Sequence, residues 1–453
     1  MNSADPLEDK KAKARKISIK EGSAYSVMEG FGLRNITPYA LAMGAKNTHI
    51  GFLSSIPQLL GHLSQLFTLK LMQENSRKKI VIFAVLLQAL LWLPLIGVGA
   101  YYFLFHGSSQ VAALLLIFVY TSLIVAGLSL GPAWNSWMKD IMSNTPGSYF
   151  GMRNRITGFV ALVSMLIAGV ILDSLKKTHL FLGFAIIFGI AFLFRLISAS
   201  LFLKKHEPEL KYEPAFYFSL LDFLKRMRSN NFGKFTIYVS FLMFATAIAS
   251  PFFAVYMLKE LHFNYVTYTA ISIFSSLFSL LFMPAWGKFA DRYGNIRIMK
   301  ICGYLVPFVP LLWLLSVFLV HSPLLLVLYL ILIEAFSGAC WAGFNLAVAN
   351  FPYDTVTRQR MSYCIAYFNI LQSCGNLFGA LLGGFISSLS FFAFGLSPLL
   401  FIILLSGIAR LLVSLFFLRT IKEVRNVPAF GFKDAFREMQ HLTFGKFIGW
   451  FKH

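Results

Sequence analysis

The sequence predicts an all-α polytopic membrane protein whose 12 transmembrane helices form two six-helix bundles related by a parallel pseudo-two-fold repeat. Three observations lead to this prediction. First, 57% of the 453 residues are apolar and only 13% are charged, about half the share of charge that a soluble domain usually carries. Second, apolar runs long enough to cross a bilayer recur along the whole chain. Third, the two halves of the chain match each other at an offset of about 214 residues.

Each apolar run is bounded by polar or charged residues and is therefore predicted to cross the membrane. A membrane helix needs about 20 apolar residues and a barrel strand about 10, so runs of this length predict helices. The predicted spans, numbered one to twelve in chain order, cover residues 23–45, 48–70, 80–105, 111–138, 150–172, 180–203, 233–257, 265–287, 296–320, 324–350, 362–387 and 396–418.

Basic residues are concentrated on one side of these spans. Because Lys and Arg in short loops are retained in the cytoplasm, their distribution places both termini in the cytoplasm and the protein in the cell inner (plasma) membrane. The loops on the other side hold only Lys46, Lys176, Lys177 and Lys259. The net charge of +21 is then a topology signal that also attracts anionic membrane lipid. It does not indicate a nucleic-acid partner.

The halves of the chain are separated by the longest polar interruption. Segment 195–204 at the end of span six corresponds to segment 410–419 at the end of span twelve. An even number of spans in each half gives both copies the same orientation, so the repeat axis lies along the membrane normal. The predicted units are a cytoplasmic basic tail (1–22), an amino-terminal six-helix bundle (23–203), a cytoplasmic linker with an interfacial helix (204–232), a carboxy-terminal six-helix bundle (233–418) and a cytoplasmic amphipathic tail (419–453).

The loop after span eight carries a recognisable motif, Trp286-Gly287-Lys-Phe-Ala-Asp291-Arg292-Tyr-Gly294-Asn295-Ile-Arg297. It resembles the G-x-x-x-D-R-x-G-R loop signature of the major facilitator superfamily of transporters. The duplicated architecture resembles that family along the whole chain. The start of span five, Tyr149-Phe-Gly-Met-Arg153-Asn-Arg155, is similar to uncharacterised prokaryotic members. The resemblance implies two bundles around a central cavity that is lined by spans one, four, seven and ten.

The motif is expected to act as a gate between the bundles. Its glycines permit close packing and a tight turn, and Asp291 places a carboxylate at the cytoplasmic surface. The resemblance implies that Asp291 faces the start of span five and joins the halves when the cavity opens outward. The alternative is an ordinary basic loop with a turn. The corresponding first-half loop keeps only its basic end. The residues of the predicted gate are Gly287, Asp291, Arg292, Gly294, Arg153 and Arg155.

Five ionisable side chains lie inside the predicted spans, where each costs about 2.5–3.5 kcal/mol and is a functional candidate. Arg195 and Arg410 occupy equivalent places in the two halves, so symmetry favours structural charges, either snorkelling to the interface or anchoring neighbouring helices. The other three, Glu29, Arg34 and Glu334, have no counterpart in the other half. Their asymmetry predicts a specialised role.

The asymmetric charges define a candidate substrate and coupling site. Glu29 and Arg34 are separated by about 140° around an α-helix, so we expect each to need another partner. In span ten, Glu334, Trp341 and Asn345 return to nearly the same angle and predict one polar stripe. Asn35 completes the candidate set. The alternatives are a partly amphipathic span that faces its own bundle and a buried polar patch that joins helices.

The sequence predicts a transporter and not an enzyme. It contains no phosphate loop, nucleophile elbow or metal-ligand spacing, so neither a cofactor nor a metal is expected. We expect a monomeric secondary active transporter that moves a small solute by alternating access, with a proton as the candidate coupling ion in symport. The alternatives are a non-transporting membrane receptor or assembly protein on the same fold, and a lipid flippase.

Overall fold

The computed structural model describes residues 6–142, 146–208, 218–357, 360–389 and 395–427. Within these ranges the chain is helical, and its helices follow one another as the twelve predicted spans. The tail beyond residue 427 and linker residues 209–217 lie outside the described residues, so the predicted amphipathic tail is described only at its beginning.

The first half contains spans one to six. Span one is broken into Pro6–Phe31, a 3-10 turn at Leu33–Asn35, and Ile36–Ala42. The other spans are Asn47–Glu74, Arg77–Leu90 with Trp92–Phe103, Ser109–Ser129 with Gly131–Ile141, Pro146–Leu175, and Leu180–Lys204. The helix of span one begins at Pro6, well before the predicted membrane boundary at residue 23. Part of the predicted tail is therefore helical, because Ala14, Ser18 and Glu21 are buried within the first half.

The second half repeats this order after a short linker helix, Leu220–Arg226. Span seven comprises Asn231–Ala247, Phe252–Val255 and a π-helical turn at Tyr256–Glu260. Spans eight to twelve are Tyr265–Tyr293, Asn295–Leu305 with Phe308–Leu314 and a 3-10 turn at Leu315–Leu319, Pro323–Thr355, Met361–Ser387, and Pro398–Phe417 with a 3-10 turn at Leu418–Thr420.

Within the part of the chain that the structure describes, spans three to twelve are the 10 that are long and apolar enough to cross a membrane by length and composition. Spans one and two are equally long but more polar. Span one carries Glu21, Glu29 and Arg34, and span two carries His62 and Gln65. A helix whose polar face is turned towards the protein interior needs less apolar surface, because only its other face meets lipid. The polarity of these two spans therefore indicates that they face the interior.

The two halves meet along two seams, one between spans two and eleven and the other between spans five and eight. Gly51 allows the first seam to close, because a side chain there would collide with the backbone carbonyl of Ala380. At mid-span the Nδ1 atom of His62 lies 2.6 Å from the hydroxyl oxygen of Ser373. Neighbouring spans of the two bundles thus touch closely enough for side chains of opposite halves to bond.

The halves share one polar arrangement at the end where span six stops and span seven starts, which we call the linker end. In the first half Arg77, at the start of span three, is fully buried and pairs with Asp140, at the end of span four. In the second half Asn295 Nδ2, at the start of span nine, donates to Asp354 Oδ2 at 2.6 Å. The repeat is therefore present in side-chain contacts as well as in helix order. The charged donor Arg77 of the first half is replaced in the second half by the neutral donor Asn295.

A glutamate completes this arrangement in each half. Glu207 accepts from Arg77 Nε at 3.4 Å and from the Lys78 backbone N–H at 3.3 Å. Glu423 accepts from the Ile296 backbone N–H at 2.9 Å. The basic end of the first-half loop is thus bonded within its own bundle.

Candidate functional site

A cavity of about 450 Å³ lies between the two bundles. Spans one and five form its first-half wall, and spans eight and ten form its second-half wall. It extends from mid-span towards the linker end. Its polar lining consists of Ser26, Glu29, Arg34, Asn154, Thr157, Ser275, Ser276 and Ser279, and its larger apolar side chains are Leu162, Met165, Leu280, Met283 and Trp341. Of the six predicted substrate and coupling residues, three therefore line the cavity: Glu29 and Arg34 of span one, and Trp341 of span ten.

Glu29 and Arg34 form an ion pair, so the prediction that they cannot pair is wrong. Arg34 donates to the same Glu29 oxygen from Nη2 at 2.8 Å and from Nε at 3.2 Å. The prediction assumed a continuous α-helix, whereas the helix ends at Phe31 and continues as a tighter 3-10 turn. Gly32 is required at the break, because the Trp92 ring occupies the place where its side chain would be.

Asn35 stabilises this break. Its side chain is buried, and Nδ2 donates to the backbone carbonyls of Gly30 at 3.1 Å and Phe31 at 3.0 Å. These carbonyls have lost their ordinary helical partners. Asn35 is not part of the cavity lining. Its contacts position Glu29 and Arg34.

The predicted stripe on span ten divides between three environments. Trp341 lines the cavity, and Asn345 is exposed about one turn closer to the linker end. Glu334 lies outside the lining, next to the side chains of Ser275 and Trp313. The part of the chain that the structure describes places no cation within ion-pair distance of Glu334. The stripe therefore reaches from the cavity into the interior of the second bundle.

Tyr268 in span eight connects the charged groups of the two halves. Its hydroxyl lies within range of electrostatic interaction with both Arg34 and Glu334. Tyr25 in span one is similarly close to Glu29, Arg34 and Arg195. The asymmetric charges thus belong to one polar region at the middle of the membrane.

Arg195 and Arg410 are both buried inside their own bundles. The Arg195 guanidinium stacks over the Tyr25 ring at 5.0 Å and donates to Ser198 Oγ at 3.3 Å. Arg410 donates to Ser406 Oγ at 3.0 Å and to the backbone carbonyl of Thr246 at 3.4 Å. Of the two structural alternatives, these contacts correspond to interhelical anchors and not to snorkelling.

In this conformation Arg153 and Asp291 of the predicted gate are bonded to other groups. Arg153 donates from Nε to the Ser18 carbonyl at 3.2 Å and from Nη2 to Glu21 at 3.4 Å, and it stacks over Trp134. Asp291 accepts through its backbone carbonyl from Arg425 Nη2 at 3.4 Å. Arg153 and the backbone of Asp291 are thus each bonded within their own half. The proposed contact between them remains a prediction for a different conformation.

The other gate residues differ in how they fit the predicted turn. Gly294 has φ +87°, a conformation that favours glycine, and confirms a tight turn there. Gly287 has no described neighbour within 4 Å of the place its Cβ would occupy, so close packing at this glycine is not found. Arg292 stacks over Tyr293 at 5.3 Å. Arg155 is exposed at the start of span five.

The bundles are joined at the end opposite the linker end. Asp173 of span five accepts from the backbone N–H groups of Tyr265 at 2.8 Å and Val266 at 2.7 Å. Asn47 donates to the Ser387 carbonyl at 3.0 Å, and Lys259 donates to the Ala45 carbonyl at 3.2 Å. Among hydrogen bonds with both partners described, the others between the halves are limited to the mid-span contact of His62. The cavity is therefore closed at the opposite end.

The sequence reasoning missed the hydroxyl-bearing residues of the cavity and Asp173. A search for charges inside the spans passes over Ser275, Ser276 and Ser279, although residues three and four apart share one helix face. Asp173 lies at a span boundary, where a carboxylate is ordinary. In the described part of the chain, no group of three or more His, Cys, Asp or Glu side chains could hold a metal ion.

The family model of the Major Facilitator Superfamily matches residues 24–355 and 240–450. The chain belongs to this superfamily. Membership confirms the family resemblance and the predicted 12-helix fold of this major facilitator, which is therefore a multi-pass membrane protein that transports a solute. No curated protein matches its sequence.

Solved structures of other major facilitators have the same fold. A mutant form of the nucleoside transporter NupG has a TM-score of 0.70 at 14% identity, and the match covers 90% of this chain and 100% of that one. A bacterial homologue of the iron transporter ferroportin, in an inward-facing state, has a TM-score of 0.63 at 11% identity, with 92% and 99% covered. A bacterial homologue of the human lysosomal transporter Spinster, inward-facing and unoccupied, has a TM-score of 0.58 at 15% identity, with 94% and 100% covered.

Proposed function

We propose that this protein is a secondary active transporter that moves a small water-soluble solute by alternating access. The observation that carries the proposal is a charged, hydroxyl-lined cavity between two bundles whose described hydrogen bonds to each other lie at mid-span and at the end opposite the linker end. Ionised groups in the membrane are expensive, so a site that keeps them exposed to a cavity has a use for them. A solute bound there can favour one arrangement of the bundles over the other.

The conformation described here corresponds in this proposal to the inward-open state. The excess of Lys and Arg near the linker end supports a cytoplasmic location for that end and for both termini. The cavity extends towards the same end. In the outward-open state the contacts of Asp173, Asn47 and Lys259 would break, and Asp291 would meet the start of span five.

Glu29 and Glu334 are the candidate proton carriers. A carboxyl group in the membrane interior can exchange its charge for a proton when its surroundings change. Glu29 is paired with Arg34, whereas Glu334 lies on the other bundle beyond Tyr268. Rocking of the bundles would change the distance between Arg34 and Glu334, whereas Glu29 moves with Arg34 on span one. Proton binding and solute binding would then be coupled through one guanidinium group.

Flux measurements in proteoliposomes test this proposal. A thermal-shift screen of the purified protein against metabolites first finds a ligand. Its uptake is then measured with and without a pH gradient for the wild type, Glu29→Gln and Glu334→Gln. We expect uptake to respond to the gradient in the wild type and to lose this response in at least one variant. Glu74→Gln, at an exposed position of span two, is the matched control.

An unchanged gradient response in both Glu29→Gln and Glu334→Gln would reject coupling through these acids. The absence of flux for every ligand that binds would reject transport of a soluble solute and favour the receptor alternative. In that case neutral replacement of the central charges should be tolerated.

A lipid flippase is the second candidate, because an apolar groove opens on the side of the first bundle. Its lining is Val27, Phe31, Phe159, Val160, Val163, Ser164, Ile167, Ile190 and Phe194. Tight packing of Gly30 against Ala161 and Met165 lies between this groove and the cavity. A lipid head group would need a continuous path between them. We therefore place a soluble solute first, and measurement of lipid translocation in the same vesicles distinguishes the two functions.

A further inference from the structure

The Glu29–Arg34 pair keeps bonding capacity that faces the cavity. Both hydrogen bonds of Arg34 end on one oxygen, Oε1 of Glu29. The Arg34 side chain remains 49% exposed and that of Glu29 27% exposed, and both line the cavity. A guanidinium has further N–H donors, and a carboxylate has a second acceptor oxygen. Within the described residues, Glu29 Oε2 and Arg34 Nη1 have no hydrogen-bond partner. The pair therefore presents one anionic acceptor and one cationic donor side by side.

The charge of the cavity limits what it can bind. Among the described residues of the lining, Glu29 and Arg34 are the charged side chains, and their charges cancel. A solute with a net charge would leave water without finding a net countercharge, and an uncompensated charge in a low-dielectric site is costly. A solute with balanced charges of its own meets no such cost. The lining thus favours a solute without net charge.

We infer that the cavity binds a zwitterion of the α-amino acid class that has an apolar or aromatic side chain. Its carboxylate would be bound by Arg34 through charge-assisted hydrogen bonds, and its ammonium group by Glu29. In such a solute the ammonium and carboxylate groups are bonded to the same carbon atom. Its two charges are therefore about as close together as the charges of Glu29 and Arg34. The inference rests on the proposed transport function, since it names the solute class of the same cavity.

The rest of the lining suits the remainder of such a solute. Leu162 and Met165 of span five face the cavity from one bundle, and Leu280, Met283 and Trp341 face it from the other. Methionine side chains adapt to irregular shapes, and an indole offers a flat apolar face. Because both bundles contribute to this wall, an apolar side chain bound there would contact both halves. Contact with both halves is what a solute needs in order to influence their arrangement.

Binding of matched ligands to the purified full-length protein tests the inference. The probes are L-phenylalanine, phenethylamine, which lacks the carboxylate, and 3-phenylpropionate, which lacks the ammonium group. Uridine and glucose represent neutral solutes that hydroxyl groups alone could bind. We expect L-phenylalanine to bind at least roughly tenfold more tightly than either truncated analogue, because each analogue loses the charge-assisted hydrogen bonds to one member of the pair.

Two variants make the test independent of folding. Arg34→Leu removes the cation, so we expect it to prefer phenethylamine to L-phenylalanine. Glu29→Gln should shift preference towards 3-phenylpropionate. A general loss of structure cannot produce opposite changes in selectivity. If Arg34→Leu fails to fold, Glu29→Gln alone supplies the decisive comparison.

The outcomes separate the inference from the proposed function. Tight binding of uridine or glucose without binding of the amino acid overturns the inference, and vesicle flux of the same neutral solute leaves transport intact. Selective binding of the zwitterion without any flux supports the inference and overturns transport. Binding of none of the five probes, or unchanged selectivity in both variants, overturns the inference.

Discussion

Asp173 of the first half accepts the backbone N–H of Tyr265, the first residue of span eight, at 2.8 Å. The neighbouring N–H of Val266 bonds to the second carboxylate oxygen at 2.7 Å. A carboxylate is favoured at this position by the unsatisfied N–H groups and the positive dipole end of a helix. One bundle therefore supplies the anion that caps a helix of the other. In the proposed cycle, this contact must break before the cavity can open at the end opposite the linker end.

Replacing Asp173 should favour the outward-open state of the proposed cycle, in which the cavity opens at the end opposite the linker end. Two charge-assisted hydrogen bonds contribute about 1.5–3 kcal/mol each when both partners are buried, and less at a surface. Ala45 is a suitable reporter position, since it is 1% exposed and its carbonyl bonds to Lys259. We expect Asp173→Ala to raise the labelling rate of a cysteine at position 45 by an impermeant thiol reagent about tenfold.

Two controls accompany this experiment. The same protein without the reporter cysteine measures labelling of the four native cysteines. Asp222→Asn removes an exposed carboxylate from the linker helix and should leave labelling unchanged. Equal labelling in Asp173→Ala and the wild type would show that the contact does not hold this end closed.

The ion pair of Arg77 and Asp140 should contribute more to stability than the equivalent pair of the second half. Arg77 has no exposed side-chain surface and is paired with both Asp140 and Glu207. Asp140→Asn removes one of its anions, whereas Asp354→Asn only weakens a bond to the neutral Asn295. Because Asp140 is partly exposed, we expect a loss of about 2 kcal/mol for Asp140→Asn and under about 1 kcal/mol for Asp354→Asn.

Thermal unfolding in detergent compares the two variants directly. Lys79→Met, at an exposed position two residues after Arg77, is the control and should unfold like the wild type. Equal melting temperatures for Asp140→Asn and Asp354→Asn would contradict the assigned difference.

Lys205 should make stability depend on alkaline pH. It follows span six and is buried against the rings of Trp134, Trp137 and Phe202. Burial lowers the pKa of Lys205 to about 8. The unfolded chain then binds this proton more tightly, so the penalty is present below pH 8 and disappears as the pH rises towards the unfolded pKa of about 10.4. Cation–π contacts offset part of the penalty.

We therefore expect the melting temperature of the wild type to rise relative to that of Lys205→Met between pH 8 and about 10. The variant should be at least as stable as the wild type at pH 7, because a methionine fills the same apolar site without a charge. Parallel pH profiles for the two proteins would show that this lysine keeps an ordinary pKa.

Asp291→Asn should impair transport without affecting membrane insertion. In the conformation described here its side chain is not bonded to Arg153, which pairs with Glu21. Loss of the carboxylate should therefore leave this state intact and destabilise only the one in which the linker end is closed. Uptake at matched protein levels is the measurement, and Asp222→Asn again serves as the control. Undiminished uptake would remove Asp291 from the gate.

The helix boundaries were predictable to different degrees. Spans three to twelve follow from apolar length alone, because a bilayer imposes the same requirement on every helix that crosses it. Span one was predicted to enter the membrane at residue 23, and its helix begins at Pro6. Its polar first turns are helical because they pack on spans four and five. Such packing cannot be read from local composition.

The candidate site was only partly predictable. Burial of a charge in a span is visible in the sequence, and it drew attention to Glu29, Arg34 and Glu334. Which partner each charge has depends on the break at Gly32 and on the Trp92 ring that packs there. Likewise, the serines of span eight became candidates only when the second bundle faced the first across the cavity.

The amino-acid sequence alone therefore determined the membrane class, the number of spans, the duplication and the predicted orientation. These depend on apolar length, basic-residue counts and repeated segments, which are properties of neighbouring residues. The tertiary structure decided the pairing of Glu29 with Arg34, the placement of Asp173 on span eight, and which side chains share the cavity. The pairing of Glu29 with Arg34 depends on how Trp92 packs against the break at Gly32, and the other two relationships join residues far apart in the chain. Only tertiary packing brings such groups within the few ångströms over which hydrogen bonds and ion pairs act.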